Sequence, residues 1–254
     1  MKKTIPCSIF LLLLYPLNVF SQTIAFPVVE TTHEVTVSFT GGFQKLNIQK
    51  IDYESHRYFL RTVWNVSKFF SLYGEVGFAD LTLKAPNDME NLQSKLRVLA
   101  GLGIQIKWLH FRSSGLTFFS QLQGFRQAIS PESVERFIVG TVEVAKIKQI
   151  KYDWREVAGS AGVEKSLGEL KFYAGSQFRF INRDEKHIEQ ILLEETGSTS
   201  LTQFSGEYIS GVRAYGFVGL QIDLPDRFQL GLEFIGRNDK DFAIYFGISQ
   251  SGKL

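Results

Sequence analysis

A chain of 254 residues with 28 basic and 26 acidic side chains, formal charge +2, lacks the charge excess of a nucleic-acid-binding surface. Its single cysteine, Cys7, falls inside an N-terminal export segment, which excludes a disulfide scaffold in the exported form. Twenty-two glycines, 23 phenylalanines and six prolines suit many strands joined by turns, in a length that one barrel domain fills.

Residues 1–21 read as a secretory signal peptide. Lys2 and Lys3 supply the positive start, Ile9–Leu14 with Tyr15, Leu17, Val19 and Phe20 the apolar run, and Val19-Phe20-Ser21 the site of cleavage before Gln22. Pro16 and Asn18 interrupt that run short of the roughly 20 apolar residues a spanning helix needs. Cleavage leaves residues 22–254 as one domain with 26 basic and 26 acidic residues. No later stretch stays apolar for about 18 residues, so a helical span is not expected.

The elements that follow alternate with the period of two that puts successive side chains on opposite strand faces. The first, about Glu34–Gln44, carries Val35, Val37, Phe39, Gly41 and Phe43 on its apolar face. In the second, about His56–Val66, Tyr58, Leu60, Thr62, Trp64 and Val66 oppose Arg57, Phe59, Arg61 and Asn65. Ser67-Lys68 turn the chain into Phe69–Asp80, where Phe70, Leu72, Val76 and Phe78 oppose Ser71, Tyr73, Glu75 and Gly77. The fourth strand, about Ser94–Trp108, sets Leu96, Val98, Ala100, Leu102, Ile104 and Ile106 against Arg97, Gly101, Gly103, Gln105 and Lys107. Leu116, Phe118 and Leu122 oppose Thr117, Gln121 and Gln123 in Gly115–Arg126.

The β-branched run Phe137–Ile150, after a turn at Ser130-Pro131-Glu132, is expected to belong to a hairpin beyond the membrane that feeds Trp154–Ser166. Leu167-Gly168-Glu169 then turns into Leu170–Ile181, the clearest alternation in the chain. Asn182–Gly206 is expected to be a long polar loop, followed by strands at Glu207–Ile222, Phe228–Ile235 and Phe242–Ser249. Longer loops are expected at Lys45–Ser55, Leu81–Gln93, Gln127–Asp153 and Asn182–Gly206, tight turns near Ser67, Gly168 and Pro225. The His110–Ser113 turn fits this asymmetry less well. The fold expected is all-β: a single antiparallel up-and-down transmembrane barrel of about ten strands, with eight or twelve as alternatives.

Alternation does not by itself say which face meets water. Aromatic rings near strand ends, a sparse polar face and segments of bilayer-crossing length place the oily face outside. Lipid-facing aromatics are then Tyr58, Trp64, Phe70, Phe78, Phe172, Phe178, Phe180, Phe228 and Phe234. The lumen is expected to hold Arg57, Arg61, Glu75, Arg97, Gln105, Lys107, Gln177, Arg179, Arg213 and Glu233, with Lys171, Glu156 and Glu164. Such groups pair in a narrow barrel, because an isolated charge away from water is costly. The favoured reading is a plug; the alternative is a narrow porin whose basic excess gives a mild anion preference.

Motifs for catalysis are absent: none of His33, His56, His110 and His187 has metal-ligand spacing, and there is no G-x-S-x-G elbow. No cofactor or metal is expected. Asp153, Asp184 and His187 are the one set that could meet at the outer rim and activate water, a hydrolase similar in outline to the ten-stranded omptin proteases.

The signal peptide, Trp154–Gly162, the turn Leu167-Gly168-Glu169 with Leu170–Ile181, and the closing Phe228–Phe234 and Phe242–Ile248 together resemble the small outer-membrane β-barrels of Gram-negative bacteria, including the OmpA-type and OmpW-type groups. The resemblance is one of architecture and covers the whole exported chain. It implies residence in the cell outer membrane, with outer-membrane lipid, lipopolysaccharide and the barrel-assembly machinery as partners. It implies a structural or surface-interaction role through the loops Gln127–Asp153 and Asn182–Gly206. Such barrels commonly end on an aromatic residue, whereas here Phe246-Gly247-Ile248 is followed by a polar tail to Leu254.

Overall fold

The computed structural model describes residues 34–48, 51–84, 92–139, 142–193, 198–209 and 211–253. The proposed signal peptide lies outside these residues. Twelve strand segments follow one another: β1 (Glu34–Ile48), β2 (Ile51–Asn65), β3 (Phe70–Lys84), β4 (Leu92–Phe111), β5 (Leu116–Ile129), β6 (Glu132–Val139), β7 (Val142–Leu167), β8 (Leu170–Leu193), β9 (Ser198–Ile209), β10 (Arg213–Asp223), β11 (Phe228–Asn238) and β12 (Asp241–Lys253).

Ten of these close a ring. Antiparallel pairing runs β1–β2–β3–β4–β5, then β5–β7–β8–β10–β11–β12, and β12 returns to β1 from Glu34 opposite Lys253 to Lys45 opposite Phe242. The remaining two segments prolong ring strands. Beyond Ser130-Pro131, β6 continues along the neighbour that β5 has, from Glu132 opposite Gln149 to Val139 opposite Val142. Likewise β9 pairs with β8 above the point where β10 begins. The ring is therefore ten-stranded, although the segments among the described residues number twelve.

The short connections β2–β3, β4–β5, β7–β8 and β10–β11 lie at one end with Glu34 and Lys253. Phe111–Gly115 belongs with them: Gly115 (φ +62) accepts the Ser166 amide at 2.8 Å and so ties this turn to β7. Gly168 (φ +65) sits in the two-residue β7–β8 turn, where a left-handed residue matches the strand twist. At the opposite end the structure departs from the expected loops. Lys45–Ile48 and Ile51–Ser55 pair as a hairpin, and Asn182–Leu193 with Ser198–Gly206 form strands rather than a polar loop. With the expected Phe137–Ile150 hairpin, the paired Asn182–Leu193 and Ser198–Gly206 make a four-stranded wall, β6–β7–β8–β9, rising on one side of the ring. The expected strand Glu207–Ile222 is divided between β9 and β10.

The ring's outer surface is apolar. Val37, Phe39, Leu60, Val76, Phe78, Leu102, Leu122, Phe178, Val218, Leu232, Ile244 and Phe246 are all exposed. An apolar band running round a closed ring is far beyond the few hundred square ångströms that soluble monomers expose, and it fits hydrocarbon. Aromatic contacts gather toward its two limits. Phe234, Phe242, Phe43 and His56 form a run of ring contacts at 5.4–6.3 Å toward the wall end. Phe111 meets Phe118 at 6.3 Å at the turn end. Amphipathic and aromatic rings settle at such boundaries of a bilayer.

Inside, the lumen is filled. Toward the turn end it is lined by small and amide side chains such as Thr36, Ser38, Asn65, Ser71, Gln105, Thr117 and Gln221. Its middle holds arginines, glutamates and aromatic rings, and its wall end Leu46, Ile48, Leu81, Leu83, Leu99, Ile129 and Ile181. Three tyrosines reach the lumen by lying across a glycine on the neighbouring strand: Tyr73 opposite Gly103, Tyr173 opposite Gly219, and Tyr245 opposite Gly42. A Cβ at any of these glycines would stand 2.1–2.2 Å from the ring, so the flat ring needs the missing side chain.

Candidate functional site

Two polar constellations stand out, one within the lumen and one on the outer face of the wall. In the lumen, Arg61 of β2 reaches its cross-strand partner Glu75 on β3 with Nε at 3.1 Å and Nη2 at 2.7 Å, while its guanidinium lies 4.7 Å from the Tyr73 ring. Arg179 of β8 approaches Glu156 of β7 at 2.9 Å and stacks 4.7 Å from Tyr215. Arg57 lies over Phe125 at 4.9 Å. Each buried cation thus has an aromatic face, and Arg61 and Arg179 also have a carboxylate, the company that a desolvated charge requires.

The wall end of the lumen is closed by Arg183, a residue expected in a loop. Its Nη1 donates to the Tyr53 hydroxyl at 2.5 Å, and its guanidinium lies 5.2, 5.1 and 4.9 Å from the rings of Tyr53, Tyr152 and Tyr208. Tyr53 also meets Trp154 at 5.7 Å. Tyr53 is on β2 and Arg183 on β8, five places apart round the ten-strand ring, so this contact bridges opposite walls. The signal was in the sequence: Tyr173, Gln177, Arg179, Ile181 and Arg183 keep one parity past the point where the loop was expected to begin.

The structure places Arg57, Arg61, Glu75, Gln105, Gln177, Arg179 and Glu233 in the buried lumen, with Lys107 and Arg213 partly buried. Arg213 bonds Asp241 at 3.1 Å. Arg97 does not join them. It is exposed beside a bulge in which Ala79 and Leu81 face Arg97 and Ser94, and the extra residue on β4 breaks the alternation. The expected basic excess fails with it. Among the described residues the buried ionic groups are Arg57, Arg61, Arg179 and Arg183 against Glu34, Glu75, Glu156, Glu164, Glu233 and Asp241. Of the aromatics assigned to lipid, Tyr58, Trp64, Phe78, Phe172, Phe178 and Phe234 are exposed, and Phe70, Phe180 and Phe228 partly so.

On the wall's outer face, Asp153 and Asp184 are cross-strand partners. Arg155 Nη2 bonds both, at 2.6 Å each, and Arg126 clamps Asp153 through Nε at 2.8 Å and Nη2 at 2.9 Å. Partial burial pushes the Asp153 carboxyl up, but the hydrogen bonds and charges of Arg126 and Arg155 outweigh it and hold the group below its ordinary value. His187 shares the parity of Arg183 and Glu185, the opposite face of β8 from Asp184, and its ring lies 3.7 Å from Glu185. The structure therefore brings the two aspartates together and leaves His187 apart, so the alternative of a rim hydrolase built on all three residues is not assembled. Among the described residues no cluster of three or more His, Cys, Asp or Glu side chains could hold a metal ion.

No family model matches the chain, and no curated protein matches it. Solved structures similar to it include the transport unit of the autotransporter AIDA-I from Escherichia coli, at 9% identity and TM-score 0.45, covering 91% of this chain and 93% of that one. The translocator domain of the autotransporter NalP from Neisseria meningitidis gives 9% identity and TM-score 0.45, covering 90% of each chain. The outer membrane protease OmpT from Escherichia coli gives 8% identity and TM-score 0.40, covering 91% of this chain and 97% of that one. At such identities and scores the architecture rests on this chain's own strand pairing, apolar exterior and ion-bearing interior. By those features it is a closed, ten-stranded transmembrane β-barrel of the outer-membrane type.

Proposed function

We propose that this barrel is a closed scaffold whose work is done by the β6–β9 wall, a surface-interaction role rather than transport or catalysis. The observation that carries the reading is the filled lumen. Arg61–Glu75 and Arg179–Glu156 occupy its middle, and the Tyr53–Arg183 bridge over Leu46, Leu81, Leu99 and Ile129 occupies its wall end. A ten-strand ring leaves little bore to begin with, since open aqueous channels belong to barrels of about 16 strands. Polar strands lifted off a rigid scaffold are a usual place for binding.

Planar-bilayer recording tests the closed state: the native protein is expected to show no discrete conductance steps, and stable steps would favour the narrow porin. The wall is tested by replacing residues 134–147 and 186–205 with short turns. The shortened protein is expected to keep heat-dependent gel mobility, the mark of an intact barrel, while losing association with cell-surface material. Loss of the barrel itself would make the wall a folding element instead.

A further inference from the structure

On the outer face of the wall, two successive rungs between β7 and β8 each set like charges opposite one another, and ion pairs within the chain bind only one of these two. Asp153 faces Asp184, and Arg155 and Arg126 supply the compensating charge. Two residues farther from the ring, Lys151 faces Lys186. Both lysines are exposed and share the outward parity of the aspartates, and no ion pair joins either to a carboxylate among the described residues. Like charges directly opposed on an antiparallel pair, with Cβ atoms about 5 Å apart, repel each other. Asp153 and Asp184 are paired with arginines, while Glu207, which faces Asp184 from β9, accepts from the Asn182 amide at 3.3 Å and keeps its charge.

The same rung offers hydroxyls at both ends. Lys186 faces Ser205 on β9, and Ser130 follows Ile129, which faces Tyr152 beside Lys151. A groove of about 630 Å³ opens here, and its lining includes Ser130, Lys151, Lys186 and Ser205 together with the carboxylates Asp153, Asp184, Glu185 and Glu207. The rung lies six residues beyond Phe180, about 20 Å along the strand and clear of the apolar band.

We propose that the Lys151–Lys186 rung binds a phosphate monoester. Such a group carries nearly two negative charges at neutral pH, enough to balance both ammoniums, and its oxygens accept from ammonium and hydroxyl donors together. The proposal deepens the surface-interaction reading by naming a ligand class for the wall. The phosphate comes either from the headgroup of a phosphorylated outer-leaflet lipid or from solution.

The test titrates the detergent-folded, heat-modifiable protein with inorganic phosphate, glucose 6-phosphate and dodecyl phosphate, reading thermal unfolding and calorimetric affinity. Native protein is expected to bind and to melt higher, with affinity falling at least tenfold in Lys151→Gln/Lys186→Gln and unchanged in Lys68→Gln at the opposite end. In phosphate-free buffer Lys151→Gln alone is expected to melt higher than native, because the repulsion is gone. Tighter binding of dodecyl phosphate than of the two soluble phosphates assigns the lipid headgroup; equal binding of all three assigns a phosphate from solution. Equal affinity in native protein and double variant, or no binding of any probe by native protein, overturns the proposal. Neither result touches bilayer conductance or the effect of shortening the wall, so the broader reading stands or falls separately.

Discussion

Glu156 and Arg179 are 0% and 1% exposed at the side chain, so each is the other's main compensation for leaving water. Removing one partner of such a pair costs about 3–5 kcal/mol, whereas replacing both with apolar groups of similar volume costs much less. Glu156→Gln is therefore expected to lower urea stability in lipid vesicles by that amount, and Glu156→Met/Arg179→Met to recover most of it. On the wall the linkage runs with pH. The folded Asp153 carboxyl lies below its ordinary value of 3.8, so the stabilisation is complete above that value and is lost as pH falls through the lower folded one. At this partly exposed position the effect is about 1 kcal/mol or less. Hydrogen exchange of β7 and β8 near Asp153 is expected to accelerate below about pH 4, and Asp153→Asn to remove that dependence. The inward phase of Arg61, Arg179 and Glu233 is legible because an outward-facing neighbour stands on either side of each. The exposure of Arg97 was not, since a bulge depends on what the partner strand does.

A strand shows period two only where its faces meet different surroundings. β8 makes this plain: Leu170–Arg183 alternates between the outer face and the lumen, whereas the stretch from Asp184 onward has polar groups on both faces because both are wet. That second half therefore reads as a loop in the sequence, and so does β9, rich in serine and threonine. Bulges at Trp108 and beside Arg97 were hidden for the related reason that register belongs to pairs of strands. The wall has wet faces and, at β9, a single neighbour among the described residues, so it is expected to open locally before the ring does. Backbone amides of 142–150, 186–193 and 198–207 should exchange faster than those of 154–165 and 171–181. Uniform protection across both would mean that wall and ring open together.

The whole molecule stands on the sign of its two surfaces. Lysine at Phe178, which is 57% exposed in the middle of the apolar band, is expected to destabilise insertion by about 2–4 kcal/mol, measured by folding into vesicles. Lysine at Ser205 on the wall should change little by the same measure. If both substitutions behaved alike, the outer surface would not be touching hydrocarbon. The high wall itself breaks the symmetry of what would otherwise be a cylinder. A plain tube can spin about the membrane normal and look the same to anything above it. With β6–β9 standing over one arc of the rim, this molecule has a front and a back, so an incoming body has one azimuth of approach instead of a circle of equivalent ones.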